Sequence, residues 1–293
     1  MPPGCKERRN TMTKRTVSSL LEMKKNGQKV SQVTCYDYST MCLVEEAGID
    51  TVLVGDSLGM MMQGYDTTLP VTMEEMIVYG RSVVRAAREA FVIIDMPFMS
   101  YQASVEQAVA NAGRLIKETG ANAVKLEGGA AVTPQIRAIV NSGIPVCAHV
   151  GMTPQSVNAL GGFKVQGKGE NNARRVLEDA LAVQQAGAFM CVLECVPPKL
   201  AALVTSKVDM VTIGIGAGAG TDGQVLVWQD LMGICMSLKP KFTKHFGEVG
   251  EAMKTAFADY NREVKAGVFP AAEHTYAKSD CSDEFYEGLR EEY

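Results

Sequence analysis

Histidine, tryptophan and basic charge are all scarce in this chain. Its 293 residues include 3 His and 1 Trp, and 29 Lys plus Arg face 33 Asp plus Glu, for a formal net charge of -4. With a pI near 5.6 there is no excess of basic charge to meet nucleic acid or an anionic membrane surface, so neither is expected as a partner. No apolar run approaches the ~18 residues of a membrane-spanning helix. The first fifteen residues hold no apolar segment that would read as a secretory signal. No CxxC occurs among the 8 cysteines, whose scatter fits free, mostly buried thiols in a reducing cytosol. A cytoplasmic protein is therefore expected. The basic leader, residues 1–15, is expected to be disordered, and its charge leaves mitochondrial import as the minor alternative.

What the chain has in quantity is short apolar runs that end in a polar group. TVLV (51–54) breaks at Gly55 into Asp56-Ser57. FVIID ends at Asp95, AVKLE at Glu127, VCAH at His149 and FMCVLE at Glu194. Buried ionised side chains are costly unless paired or bound to a metal, so their recurrence at strand ends points to a site rather than to packing. Strands are read at 30–36, 51–56, 91–96, 123–127, 145–150, 189–195, 210–215 and 225–230, and helical patterns fall between most of them. A helix over 72–89 should open with a Thr72–Glu75 capping box, and a long helix is expected near 245–266.

Eight strands within about 250 residues predict a (β/α)8 barrel, with a doubly wound open sheet as the main alternative. The helix at 16–26 would close the bottom of that barrel. One catalytic domain over 16–276 is expected, followed by an acidic, solvated tail at 277–293. Two long connections, Ser57–Val71 and Gly151–Gly169, follow strand ends and are candidate lids.

Within this frame the chemistry-bearing residues are few. Strand alternation turns Lys125 and Glu127 to one face, about 7 Å apart along the strand, either as site residues or as a structural ion pair. Asp56, Asp95 and Glu127 form an oxygen-only set that favours Mg²⁺ over zinc, although an aspartate at a strand end also serves to cap the next turn. Glu194, flanked on its face by apolar Met190 and Val192, is a candidate general base or one half of a salt bridge to a neighbouring Lys or Arg. His149 is a lone strand-end histidine, a type that often serves only as a hydrogen-bonded structural residue. The glycine run at 213–223 is a loose match to a dinucleotide fingerprint, but a strand follows it where a helix is required, so a tight floor at the barrel mouth is the better reading.

The ordered motifs VGDSLGM, GYDTTLPVT, DMPFMSYQ, AVKLEGG, HVGMTPQSVNALGGFKVQGK, LECVP, IGIGAG and DGQVLV resemble those of the ketopantoate hydroxymethyltransferase (3-methyl-2-oxobutanoate hydroxymethyltransferase) family over roughly residues 16–276. The resemblance implies a barrel of the phosphoenolpyruvate/pyruvate type that uses Mg²⁺. It implies transfer of a one-carbon unit from 5,10-methylenetetrahydrofolate to 3-methyl-2-oxobutanoate, giving 2-dehydropantoate for pantothenate and coenzyme A synthesis. By motif, Asp56, Asp95 and Glu127 would be metal ligands, Glu127 acting through water. Asp56, Ser57, Asp95 and Lys125 would contact the keto acid, Glu194 would be the proton acceptor, and His149 would stand near the site. A homo-oligomer, a decamer in relatives, is implied as well. Thr221 stands where many relatives would have Cys.

Overall fold

Runs of β-branched and aliphatic residues buried on both faces belong in parallel strands between a lumen and a helical layer. The computed structural model, which describes residues 14–234, 240–276 and 278–293, arranges them in that way. The strands are β1 (Val30–Thr34), β2 (Thr51–Val54), β3 (Phe91–Asp95), β4 (Ala123–Glu127), β5 (Val146–Gly151), β6 (Met190–Glu194), β7 (Val211–Ile215) and β8 (Gly223–Leu226). They pair in sequence order, all parallel, and β8 pairs with β1 to close the barrel, which excludes the open-sheet alternative. Outward-facing Val52, Val54, Val92, Ile94, Val124, Leu126 and Leu193 pack against the helices. Inward-facing Leu53, Ile93, Ala123, Cys147, Val192, Ile213 and Val225 fill the lumen.

The bottom of the lumen is closed by the helix Val17–Lys25, as its position before β1 predicts. Thr16 caps it reciprocally with Ser19. Its buried Leu20 and Met23 join Val30, Phe91, Phe189 and Val211, with the two Phe rings edge-on at 5.6 Å. Lys24 anchors the plug through Nζ, which lies 2.7 Å from Asp222 Oδ2 and donates to the Met210 carbonyl at 2.9 Å. With the lower end filled, an open space can form only at the carboxyl ends of the strands.

Several boundaries differ from the sequence reading. The capping box between Thr72 and Glu75 is present, but the helix ends at Ala86 because the Glu45 carboxylate takes the backbone N–H groups of Arg88 and Ala90. The last strand covers Gly223–Leu226 instead of 225–230, and Trp228–Leu231 forms a helical turn. The cause is local. A Cβ at residue 223 would sit 2.2 Å from the Val30 carbonyl oxygen, so only glycine permits the close β8–β1 approach there. The Trp228 N–H then leaves the ladder for Thr34 Oγ1 at 3.1 Å.

The long C-terminal helix runs Val249–Lys265, and the acidic tail carries an exposed helix, Asp283–Glu292, capped by Ser282. Apart from Lys14 and Arg15, the basic leader lies outside the described residues, as does residue 277. Among the described residues no helix is long and apolar enough to cross a membrane.

Candidate active site

The polar strand ends meet at the upper rim of the barrel because of the strand register. Asp95 on β3 is the direct partner of Lys125 on β4, and Glu127 that of His149 on β5. Gly151 on β5 lies opposite Glu194 on β6. Asp56 follows β2, and its backbone N–H donates to Asp95 Oδ2 at 3.0 Å. Lys125 Nζ stands 2.6 Å from Asp95 Oδ1 and 3.9 Å from Glu127 Oε1. His149 Nδ1 is 3.4 Å from Glu127 Oε1, and Nε2 is 3.2 Å from Glu194 Oε2. Asp56, Asp95, Lys125, Glu127, His149 and Glu194 thus form one continuous chain across five adjacent strands. Ser57 joins it from the side, its Oγ 2.8 Å from the Tyr36 hydroxyl.

This chain lines a cavity of about 420 Å³, together with Thr34, Val192 and Ile215. Both long connections reach it: Met60, Met61 and Thr68 come from the first, and Met152, Pro154 and Phe163 from the second. The glycine run packs tightly, but among its residues only Ile215 lines the cavity, so its glycines do not form the expected floor. A Cβ on Gly214 would lie 2.7 Å from Thr221 Oγ1, and one on Gly216 would lie 2.8 Å from the Phe242 ring. The partner of Glu194 is the His149 ring rather than a lysine or arginine. Cys195, next to it, takes φ +48° and lines the cavity, but burial pushes its thiol up to about 11, so it stays protonated near neutral pH.

The electrostatics follow from burial. Asp56 is raised well above the ordinary carboxyl range, first by desolvation and then by the charges of Asp95 and Glu127. Burial also pushes Asp95 up against the pull of Lys125. In the ion pair the proton rests on Lys125, because desolvation of its ammonium is outweighed by Asp95, Glu127 and Asp56. For His149, burial disfavours the charge, but Glu127 and Glu194 on either side push its pKa up to about 9. Neither ring nitrogen has an aligned hydrogen-bond partner, so these contacts are ionic ones. Glu127 is lowered: its own desolvation is overcome by His149, Lys125 and the Gln155 N–H.

Four carboxyl groups therefore face two cationic ones. Among the described residues no group of three or more His, Cys, Asp or Glu side chains is arranged to hold a metal ion by itself. Glu127 Oε2 is already taken by the Gln155 N–H at 2.9 Å, and its Oε1 faces His149. The carboxylate most open to a hard cation is Asp56, with Asp95 beside it, although the Asp95 oxygens also accept from Lys125 and from the Asp56 N–H. Mg²⁺ commonly uses one or two carboxylates and fills its other positions with water and substrate oxygens, and its charge would relieve the repulsion that raises Asp56.

Residue-by-residue reading overlooked Gln155, Tyr101 and Tyr36, all buried and uncharged. Tyr101 and Gln155 sit inside the quoted motifs DMPFMSYQ and HVGMTPQ, where a polar residue just after a strand end was the available signal.

A family model described as ketopantoate hydroxymethyltransferase matches residues 14–272. The chain belongs to the ketopantoate hydroxymethyltransferase family. A relative from Clostridium novyi (strain NT), named 3-methyl-2-oxobutanoate hydroxymethyltransferase, is 58% identical over 263 residues, which are 90% of this chain and 96% of its own. One of the same name from Enterococcus faecalis (strain ATCC 700802 / V583) is 54% identical over 267 residues, 91% of this chain and 97% of its own. Solved structures show the fold beyond the ketopantoate hydroxymethyltransferase family. A phosphonopyruvate hydrolase complex with oxalate and Mg²⁺ superposes with a TM-score of 0.59 at 10% identity, over 95% of this chain and 97% of that one. For 2,3-dimethylmalate lyase, a PEP mutase/isocitrate lyase superfamily member, the TM-score is 0.57 at 14% identity, over 94% and 98%.

Proposed function

We propose that this protein moves a hydroxymethyl group from 5,10-methylenetetrahydrofolate to 3-methyl-2-oxobutanoate, forming 2-dehydropantoate and tetrahydrofolate, the entry of carbon into pantothenate and coenzyme A synthesis. The observation that carries this reading is the continuous chain from Asp56 to Glu194, with paired carboxylates at one end, a carboxylate base at the other and Lys125 between. In a chain with relatives of that name, this arrangement suits an acid that must lose a proton from carbon.

Asp56 and Asp95 would hold Mg²⁺, with Glu127 near through water; the metal, when bound, draws electron density from the carboxylate and keto oxygens of the acid. Lys125, held cationic, offsets negative charge on the bound acid, and Ser57 and Asp56 orient it. Glu194 takes the single proton from C3. His149, with Nε2 3.2 Å from Glu194 Oε2, fixes the position of that base. C3 then bonds to the folate methylene carbon, the two bonds from that carbon to nitrogen break, and water supplies the hydroxyl group; of the two nitrogens released, one takes water's second proton and the other the C3 proton returned by Glu194. The cavity between the two long connections would exclude bulk water while the carbanionic species exists. The family also supports a homo-oligomeric assembly and a cytoplasmic location as parts of this proposal.

The test is product formation. Purified protein, 3-methyl-2-oxobutanoate and Mg²⁺ should yield 2-dehydropantoate only when methylenetetrahydrofolate is added, and EDTA should abolish it. Carbon–carbon bond cleavage without folate would instead favour a lyase of the phosphoenolpyruvate/pyruvate barrel type. Keto-acid binding without any turnover would favour a binding protein.

A further inference from the structure

Gln155 is 5% exposed and is not among the residues lining the cavity, yet it touches the groups that do. Its Nε2 donates to Asp56 Oδ2 at 2.8 Å and to the Met96 carbonyl at 2.9 Å. Its backbone N–H donates to Glu127 Oε2 at 2.9 Å. Its Oε1 accepts from the Tyr101 hydroxyl at 2.7 Å and from Gln102 Nε2 at 3.2 Å. The Tyr101 oxygen in turn accepts the Glu127 N–H at 3.0 Å.

The amide orientation is determined by this network. A carbonyl and a carboxylate can only accept, so the NH₂ group must face Met96 and Asp56, and a flip would set Oε1 against both oxygens. Pro154 and the 3₁₀ turn Pro154–Ser156 hold the residue over the strand ends. One uncharged residue thus ties the carboxylate of Asp56, beyond β2, to that of Glu127, at the end of β4. It occupies Oδ2 of Asp56 and leaves Oδ1 without a protein donor among the described residues.

From this network we infer that Gln155, braced by Tyr101, is a positioning residue that presents Asp56 Oδ1 to a divalent cation and holds Glu127 at a fixed distance from it. The inference rests on the proposed role of Asp56 as a cation ligand. A carboxylate whose plane is fixed by hydrogen bonds loses little freedom on binding a metal. Loss of such an outer partner typically weakens metal binding by about 10–100-fold.

The test uses the full chain and Mn²⁺ as probe, titrated by electron paramagnetic resonance without substrate, alongside kcat and KM for hydroxymethyl transfer. Gln155→Met keeps the side-chain length and removes the amide. It is expected to stay folded by circular dichroism, to weaken Mn²⁺ binding by about tenfold or more and to lower kcat. Tyr101→Phe keeps the amide and removes the hydroxyl that braces it, together with that hydroxyl's contacts to the Glu127 backbone, and is expected to weaken Mn²⁺ binding less, about threefold. The double variant should weaken binding by less than the product of the two single effects, since both residues act in one hydrogen-bond network. A folded Gln155→Met that binds Mn²⁺ within about twofold of wild type overturns the inference. Should that variant fail to fold, Tyr101→Phe decides, and unchanged Mn²⁺ affinity overturns it. Wild-type protein that binds Mn²⁺ without turning over the keto acid would remove the proposed function and leave the Mn²⁺ contrast standing. Wild-type turnover with an unaffected Gln155→Met would remove the inference alone.

Discussion

Replacing Lys125 by Met retains the aliphatic stem and deletes one charge from the centre of the site. Lys125 Nζ lies 2.6 Å from Asp95 Oδ1 and 3.9 Å from Glu127 Oε1, with the three side chains at least 96% buried. Without the ammonium, Asp95 is a buried carboxylate whose nearest charged neighbours, Asp56 and Glu127, are also acidic. Removing one partner of such a pair costs about 3–5 kcal/mol, mainly because the remaining charge is left unpaired. At about 2–4 °C per kcal/mol for a domain of this size, the midpoint of thermal unfolding should fall by about 6–20 °C. The loss should shrink as pH falls, because a carboxyl group raised in the folded state binds its proton more readily there than in the unfolded chain. Calorimetry of Lys125→Met and wild type in EDTA, at neutral and at mildly acidic pH, measures both effects. A destabilisation below ~1 kcal/mol at neutral pH would refute the reasoning, because the ion pair would not then be what balances the acidic cluster.

Three further outcomes are expected. His149, pushed up to about 9 in the fold from an ordinary value near 6.5, contributes stability that is fully present below pH ~6.5 and lost as pH rises through about 9. The full effect is at most about 3 kcal/mol, and urea unfolding of metal-free His149→Asn across that window should show a flatter pH profile than wild type. Gly151→Ala should cost more than about 2 kcal/mol and most of the activity: φ there is +93°, and the new Cβ would lie 2.4 Å from the Glu194 carbonyl oxygen, displacing the base. The same unfolding measurement and a steady-state assay check it. Finally, because Lys125 is held as an ammonium ion, borohydride added with the keto acid should leave no reduced adduct detectable by mass spectrometry.

Much of the barrel was legible because its strands are doubly buried and end abruptly. Apolar runs closing on Asp95, Glu127 and Glu194 carry their own stop signals, and two-residue alternation placed Lys125 and Glu127 on the lumen side. The end of β8 was not legible. VLVWQD reads as extended, and only the approach of Gly223 to the Val30 carbonyl and the bond from Trp228 to Thr34 show where the ladder stops. Gln155 escaped for a different reason. Its importance lies in which acceptors surround it, a three-dimensional property with no periodicity and no charge to signal it. The partner of Glu194 likewise depended on register, since strand alternation puts His149 on the right face but says nothing of its distance from β6.

The central claim is that Glu194 removes the C3 proton of the bound keto acid. Proton NMR of 3-methyl-2-oxobutanoate in D₂O, with Mg²⁺ and no folate, measures that step alone. Wild-type protein should exchange the C3 hydrogen for deuterium, and Glu194→Gln should slow the exchange by about 10²–10⁴-fold, the usual contribution of a general base. Exchange by a folded Glu194→Gln at the wild-type rate would contradict the account.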